Sequence, residues 1–469
     1  MKSIKIAALI SILAVLAVPA FAAHGTADFS HVVAIGDSYG AGYESNGLNE
    51  RHQFWSWPAI VARQLGYRIC SPNDTAAANC FSEALVSYPG VAPELTLLNL
   101  QGSIGPAAGS GAPLMSTWGA PYNNLAVPGA NVVDTLTATG APSQGNPVAT
   151  LILRGLGTQA QQALAQHPTF ILLWIGGNDF LGAATTGSPS RLTPAADFKT
   201  NYEKLLDTLI AGAPNAGIVV GSFPNNIAAV PYFTTVPRVL VNPSTRQPIL
   251  GPDGQPIPLI ADLGGGNFGQ LPAGSFVALP ASSKIATGFG IPAALASIPP
   301  FNTMPNIGKP LADTDVLTPT EVTAIVTRIG EYNAIVAAAA SARSIPVADI
   351  TGLFNRVATG FTVGPIAVNG AFVTGGFFSL DGVHPTDLGY LLFANEFIKA
   401  INSGYGTHVP LASVTDLFAD NGALFPEVNG QSVTSIDALQ FTDAAADAMR
   451  TFWTPATAPT PRRGHTVSH

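Results

Sequence analysis

The sequence predicts an α/β fold with a parallel sheet, and three observations carry that expectation. Short β-branched and apolar runs alternate with longer stretches of helical spacing, the pattern of strands joined by crossover helices. Glycine-containing turns directly follow two of the strand-like runs, at Gly36 and at Gly176-Gly177. The chain has 469 residues, long enough for a sizeable core in one decorated domain or in two.

Val32 to Ile35 reads as the first strand, and Trp57 to Leu65 then takes helical spacing. Thr169 to Ile175 reads as a buried strand, Asp197 to Leu209 as an amphipathic helix and Gly217 to Gly221 as another strand. The periodicities fade between about residues 225 and 315 into Pro, Gly and apolar residues, too long a stretch for a plain loop. This segment reads as an insertion, either a cap over the site or a subdomain packed away from it. Pro319 to Ala342 then predicts a long helix, Ile345 to Ile350 a strand and Leu388 to Ile401 the closing helix. Residues 404–469 form a C-terminal extension with weakly helical pieces at Val414 to Phe418 and Ser435 to Phe452 and a tail that reads as disordered.

At the N-terminus, Lys2 and Lys5 precede an apolar run from Ile6 to Val18, followed by Pro19 and the small-residue site Ala20-Phe21-Ala22. That order predicts a signal peptide over residues 1–22, cleaved after Ala22 or Ala23, and hence export to the periplasm or beyond. Cys70 and Cys80 are the chain's two cysteines, and in an oxidising compartment they predict a local disulfide rather than a metal site. With 28 acidic against 20 basic residues the net charge is −8, so nucleic acid is not an expected partner. Charged residues make up only 10% and hydrophobic ones 47%, which points either to extensive burial or to an apolar face for lipid.

The strongest chemical signal is Gly36-Asp37-Ser38-Tyr39-Gly40, directly after the first predicted strand. Open parallel sheets bind ligands beyond the carboxyl ends of their strands, which is where Ser38 stands. A serine hydroxyl needs a base to take its proton and a carboxylate to orient that base. Asp381-Gly382-Val383-His384 supplies both from one turn. Asp28-Phe29-Ser30-His31 has the same spacing, but His31 sits at the start of the strand whose far end carries Ser38, roughly 20 Å away at about 3.3 Å per residue. His24, His52, His167, His408, His465 and His469 read as solvent-exposed. A developing oxyanion would need donors, which the turns Asn124 to Ala130 and Gly176 to Asp179 can offer. Asp37 and Asp179 read as carboxylates that stabilise turns.

On these motifs the chain resembles the GDSL or SGNH hydrolase family. Its name-giving residues correspond here to Ser38, Gly129, Asn178 and His384, with Asp381 matching the acid three positions before the histidine. The resemblance covers Phe29 to about Pro224 and Leu317 to about Ser403, and places the hydrolase domain at 28–403. Tyr39 stands where leucine is usual, and Pro128 precedes the glycine of the second block. The resemblance implies a flavodoxin-like three-layer α/β/α fold and an oxyanion hole of the Ser38 N–H, the Gly129 N–H and the Asn178 side chain. It further implies ester hydrolysis through a Ser38–His384–Asp381 triad, with no cofactor and no metal in the chemistry. Small-molecule or lipid esters are the expected substrates. Transfer of the acyl group to an alcohol or sugar, and a non-catalytic polysaccharide-binding module on the same fold, are the alternatives. An imidazole base predicts activity that declines as the pH drops below neutral.

Overall fold

The computed structural model describes residues 23–76, 78–99, 102–242, 245–419, 427–428, 431–432 and 440–453. The leader at 1–22 and the tail from 454 lie outside the described residues. In chain order the elements that position the site are β1 (Val32–Gly36), α1 (Ser38–Ala41), α2 (Trp57–Gln64), α3 (Gln159–Ala165), β2 (Phe170–Trp174), α4 (Asn178–Thr186), α5 (Ala195–Gly212) and β3 (Gly217–Gly221). They continue with α6 (Pro319–Ala342), β4 (Val347–Ala348) and α7 (Asp387–Tyr405).

The four strands form one parallel sheet in the order β1-β2-β3-β4. Every residue of β1, β2 and β3 is buried, which explains their unbroken apolar sequences, since both faces of a parallel sheet are covered by helices. The helices lie in two layers, with α2 and α7 packed together on one and α3, α5 and α6 on the other. The fold is therefore the three-layer α/β/α arrangement. The register pairs Val32 with Phe170 and Gly36 with Trp174, so β1 and β2 end level and release Ser38 and Asn178 at the same edge.

A segment not recognised in the sequence extends this sheet. Asn124 bridges Ala34 in parallel, with Ala34 N–H donating to the Asn123 carbonyl (2.8 Å) and Val127 N–H to the Gly36 carbonyl (3.0 Å). The turn carrying Gly129 is thereby delivered beside the end of β1. The strand expected over Ile345 to Ile350 shrinks to the two residues of β4, because Asp349 accepts from the Gly352 N–H (2.8 Å) and starts the next helix there. Helix α6 begins where expected: Thr318 and Glu321 form a reciprocal capping box and Pro319 occupies the first turn.

The segment over 225–315 has an apolar cluster of its own, around Leu240, Leu259, Ala261, Leu271, Ile291 and Leu311. The C-terminal pieces pack onto the body of the molecule. Strand Gln440–Phe441 pairs with Ser103–Pro106, and Arg450 donates to the Pro280 carbonyl (3.0 Å). Cys70 and Cys80 form the expected disulfide. Among the described residues no helix is long and apolar enough to cross a membrane.

Candidate active site

Where β1 ends, Asp37 caps the short helix α1 by accepting from the Tyr39 N–H at 3.1 Å, and this places Ser38 on the first helical residue. Burial raises the Asp37 carboxyl to about 7 against the pull of the Tyr39 N–H and the His384 charge. The Ser38 hydroxyl is almost wholly enclosed and lies 2.9 Å from His384 Nε2.

The turn before α7 carries the other two side chains. Asp381 Oδ1 accepts from the backbone N–H groups of Val383 (2.9 Å) and His384 (2.8 Å), which folds the carboxylate back onto its own turn. Its Oδ2 lies 2.7 Å from His384 Nδ1 and also accepts from the Asn46 N–H at 2.8 Å. Burial by itself would raise the Asp381 carboxyl, but the His384 charge and these hydrogen bonds outweigh it and hold the group below the usual carboxylate range. Carboxylate, ring and hydroxyl thus stand in one line of hydrogen bonds. Such a line can move a proton from hydroxyl to imidazole and hold the resulting charge.

The two turns expected to donate to an oxyanion are tied to each other. Asn178 opens α4, and its Nδ2 gives one of its protons to the Ala130 carbonyl at 3.0 Å, next to Gly129. Val132 N–H donates to Asp179 Oδ2 (3.0 Å), and burial raises that carboxyl to about 6. Asp37 and Asp179 therefore stabilise turns, as their positions in the sequence suggest. Gly129 adopts φ +82°, in the left-handed region that favours glycine. At Gly176, φ is +123° and a Cβ would come within 2.7 Å of Phe223, so the strand-to-helix turn admits no side chain there.

Ser38, Asp37, Gly177 and Asn178 line a cleft. Beyond Asn178 the wall is apolar: Phe180, Leu181 and Ala184 come from α4, and Ile227, Val230 and Phe233 from the start of the 225–315 segment. Gly129 is exposed and does not line this cleft; it is held near it through Ala130.

Three features escaped the sequence. The Tyr39 hydroxyl donates to the Val383 carbonyl at 2.9 Å, so this residue pins the His384 turn as well as packing against its ring. Asn46 contributes through its backbone alone, which no motif can encode. His52, expected at the surface, is buried with the carboxylates of Glu44, Glu94 and Asp387 around its ring. Glu94 and Asp387 come from 42 and 335 positions away in the chain, so the neighbours of His52 in sequence gave no sign of them. Among the described residues, Glu44, His52 and Asp387 have ligand atoms that converge closely enough to hold a metal ion, all within 4.8 Å of one another.

The family model described as GDSL-like Lipase/Acylhydrolase matches residues 32–397, and the chain belongs to that family. Membership makes it a hydrolase of ester bonds. No curated protein matches the chain in sequence. Among solved structures, an extracellular lipase from Streptomyces rimosus is 14% identical, with 80% of this chain and 98% of that chain covered at a TM-score of 0.33. A catalytic mutant of an acetylxylan esterase from Geobacillus stearothermophilus is 12% identical, covering 80% of this chain and 95% of that one at 0.32. A family 3 carbohydrate esterase from Clostridium thermocellum is 12% identical, covering 81% and 98% at 0.30.

Proposed function

We propose that the chain is an exported carboxylic ester hydrolase that works through an acyl-enzyme on Ser38. The single observation that carries this reading is the unbroken line from Asp381 Oδ2 to His384 Nδ1 (2.7 Å) and from His384 Nε2 to Ser38 Oγ (2.9 Å), opening on an apolar cleft. His384 Nε2 takes the Ser38 proton as the oxygen attacks the ester carbonyl, and Asp381 stabilises the imidazolium. The proton then passes to the departing alkoxide as the carbon–oxygen bond breaks. Water attacks the acyl-serine next, giving its own proton to Nε2, and the acid leaves as Ser38 Oγ regains a proton from the ring. Negative charge on the tetrahedral oxygen is met by the Ser38 N–H, the Gly129 N–H and the Asn178 amide.

The apolar wall beyond Asn178 supports an acyl chain rather than a sugar as the group held there. The segment at 225–315 contributes Ile227, Val230 and Phe233 to that wall, which favours its reading as a cap over decoration packed elsewhere. The Cys70–Cys80 disulfide is consistent with an oxidising compartment. Ser38→Ala tests the core of the reading: turnover of an aryl ester should fall by orders of magnitude with the melting temperature unchanged, and a fluorophosphonate should label the wild type alone. Turnover that survives the substitution refutes Ser38 as nucleophile. Product analysis with an added alcohol separates hydrolysis from acyl transfer.

A further inference from the structure

Behind the Asp381–His384 turn, His52 sits in a closed nest of acceptors. Its Nδ1 is 3.0 Å from Asp387 Oδ1 and 3.2 Å from Glu44 Oε2, and its Nε2 is 3.0 Å from Glu94 Oε2. The side chains of His52, Glu44, Glu94 and Asp387 are 10%, 7%, 10% and 2% exposed, so water solvates none of these charges well. Asn49 Nδ2 donates to Glu94 Oε2 at 2.7 Å, which fixes this oxygen as the acceptor for an Nε2–H. With the proton on Nε2, the Nδ1 lone pair faces two carboxylate oxygens. Three acceptors crowd one point, and the arrangement is stable only with a proton or a metal cation between them.

A proton on Nδ1 is the simplest cation, but it satisfies the geometry poorly. One N–H can point at Asp387 or at Glu44, and Glu44 Oε2 receives no hydrogen bond although it is buried. Burial and the neighbouring carboxylates push the Glu44 carboxyl well up, and a divalent ion, with two positive charges, would offset that cost more fully than one imidazolium. Donors about 2.1 Å from a shared ion stand about 3.0 to 3.4 Å from each other when octahedral or tetrahedral neighbours. The spacings of 3.0 and 3.2 Å around Nδ1 fall in that range. An imidazole whose far N–H is held by a carboxylate is also the usual outer arrangement of a histidine ligand.

We propose that His52 Nδ1, Glu44 and Asp387 bind a divalent transition-metal ion, Mn²⁺ or Zn²⁺, with Glu94 holding the ring from behind. An imidazole donor beside carboxylates suits these ions better than Ca²⁺ or Mg²⁺, which prefer oxygen throughout. The ion is structural and touches no reacting atom. Glu44 stands two residues before Asn46, whose N–H reaches Asp381, and Asp387 opens α7 three residues after His384. The ion would therefore tie the loop after the nucleophile to the turn that carries the base.

The test uses the Ser38→Ala protein as well as the wild type, so its outcome does not depend on ester turnover. Protein stripped with a chelator and dialysed against Mn²⁺ or Zn²⁺ should hold one ion per chain by elemental analysis, with a melting temperature lowered by stripping and restored by the ion. Glu44→Gln and Asp387→Asn should each weaken binding at least about 100-fold, and Glu94→Gln about 10- to 100-fold. No bound ion in wild type, with a melting temperature indifferent to chelator, overturns the proposal and leaves His52 an imidazolium. Undiminished binding in a folded Glu44→Gln variant overturns it as well, since the ion would then lie elsewhere.

Discussion

Replacing Asp381 by asparagine probes the line of hydrogen bonds at its most exacting point, because five donors converge on this one carboxylate. Two backbone N–H groups and the Ser379 hydroxyl meet Oδ1 at 2.9, 2.8 and 3.4 Å, while the Asn46 N–H and the His384 ring nitrogen meet Oδ2 at 2.8 and 2.7 Å. An amide can accept at its oxygen alone. Placing that oxygen at Oδ1 keeps three of the bonds and puts the NH₂ against His384 Nδ1 and the Asn46 N–H. The ring must then accept at Nδ1 and carry its proton on Nε2, facing Ser38, where it cannot act as a base. A loss on the order of 10⁴ in kcat/KM follows, equivalent to about 5.5 kcal/mol of transition-state stabilisation. The unsatisfied Asn46 N–H adds about 1 to 3 kcal/mol of lost fold stability. The assay is aryl-ester hydrolysis from pH 6 to 9 alongside a thermal melt. A folded Asp381→Asn protein that keeps more than about a tenth of wild-type kcat/KM would refute the orienting role of Asp381.

Three further outcomes are expected. Asn178→Ala should cost about 3 kcal/mol in transition-state stabilisation, read as a fall in kcat with KM little changed; an effect confined to KM would show that the amide does not meet the oxyanion. Burial pushes the Asp37 carboxyl up to about 7 in the fold against 3.8 when unperturbed, so the unfolded chain releases its proton first and stability should fall as the pH rises from about 4 to about 7, by up to about 4 kcal/mol. Urea unfolding of Asp37→Asn at pH 5 and pH 7.5 should show a smaller difference than wild type, and an equal difference would place the pH dependence elsewhere. Phe233→Ala enlarges the apolar wall supplied by the 225–315 segment, so kcat/KM should shift toward longer acyl chains by about 10-fold; an unchanged chain-length series would separate that segment from substrate binding.

The legible parts of the site are those fixed by neighbours in sequence. The apolar strands β1, β2 and β3 were readable because a sheet covered on both faces tolerates little else, and the Asp381–His384 turn was readable because one loop supplies both side chains. Where a local cap competes with a strand, the boundary was misread: Asp349 ends β4 after two residues. The run from Asn123 to Val127 was missed as a partner of β1 because its asparagines give it no strand-like pattern, and their side chains are used by Ser82, Val32 and Gly40 instead.

By itself the sequence determined the fold class, the disulfide and the family, since each rests on residue types at fixed spacings. Only the tertiary structure decided that Asn46 and Tyr39 hold the base turn, that Ile227, Val230 and Phe233 line the cleft and that His52 lies among carboxylates. The reason is physical: a hydrogen bond or a buried charge is defined by what stands within about 3 Å, and for all these groups except the Glu44 neighbour of His52 the partner lies tens to hundreds of positions away in the chain.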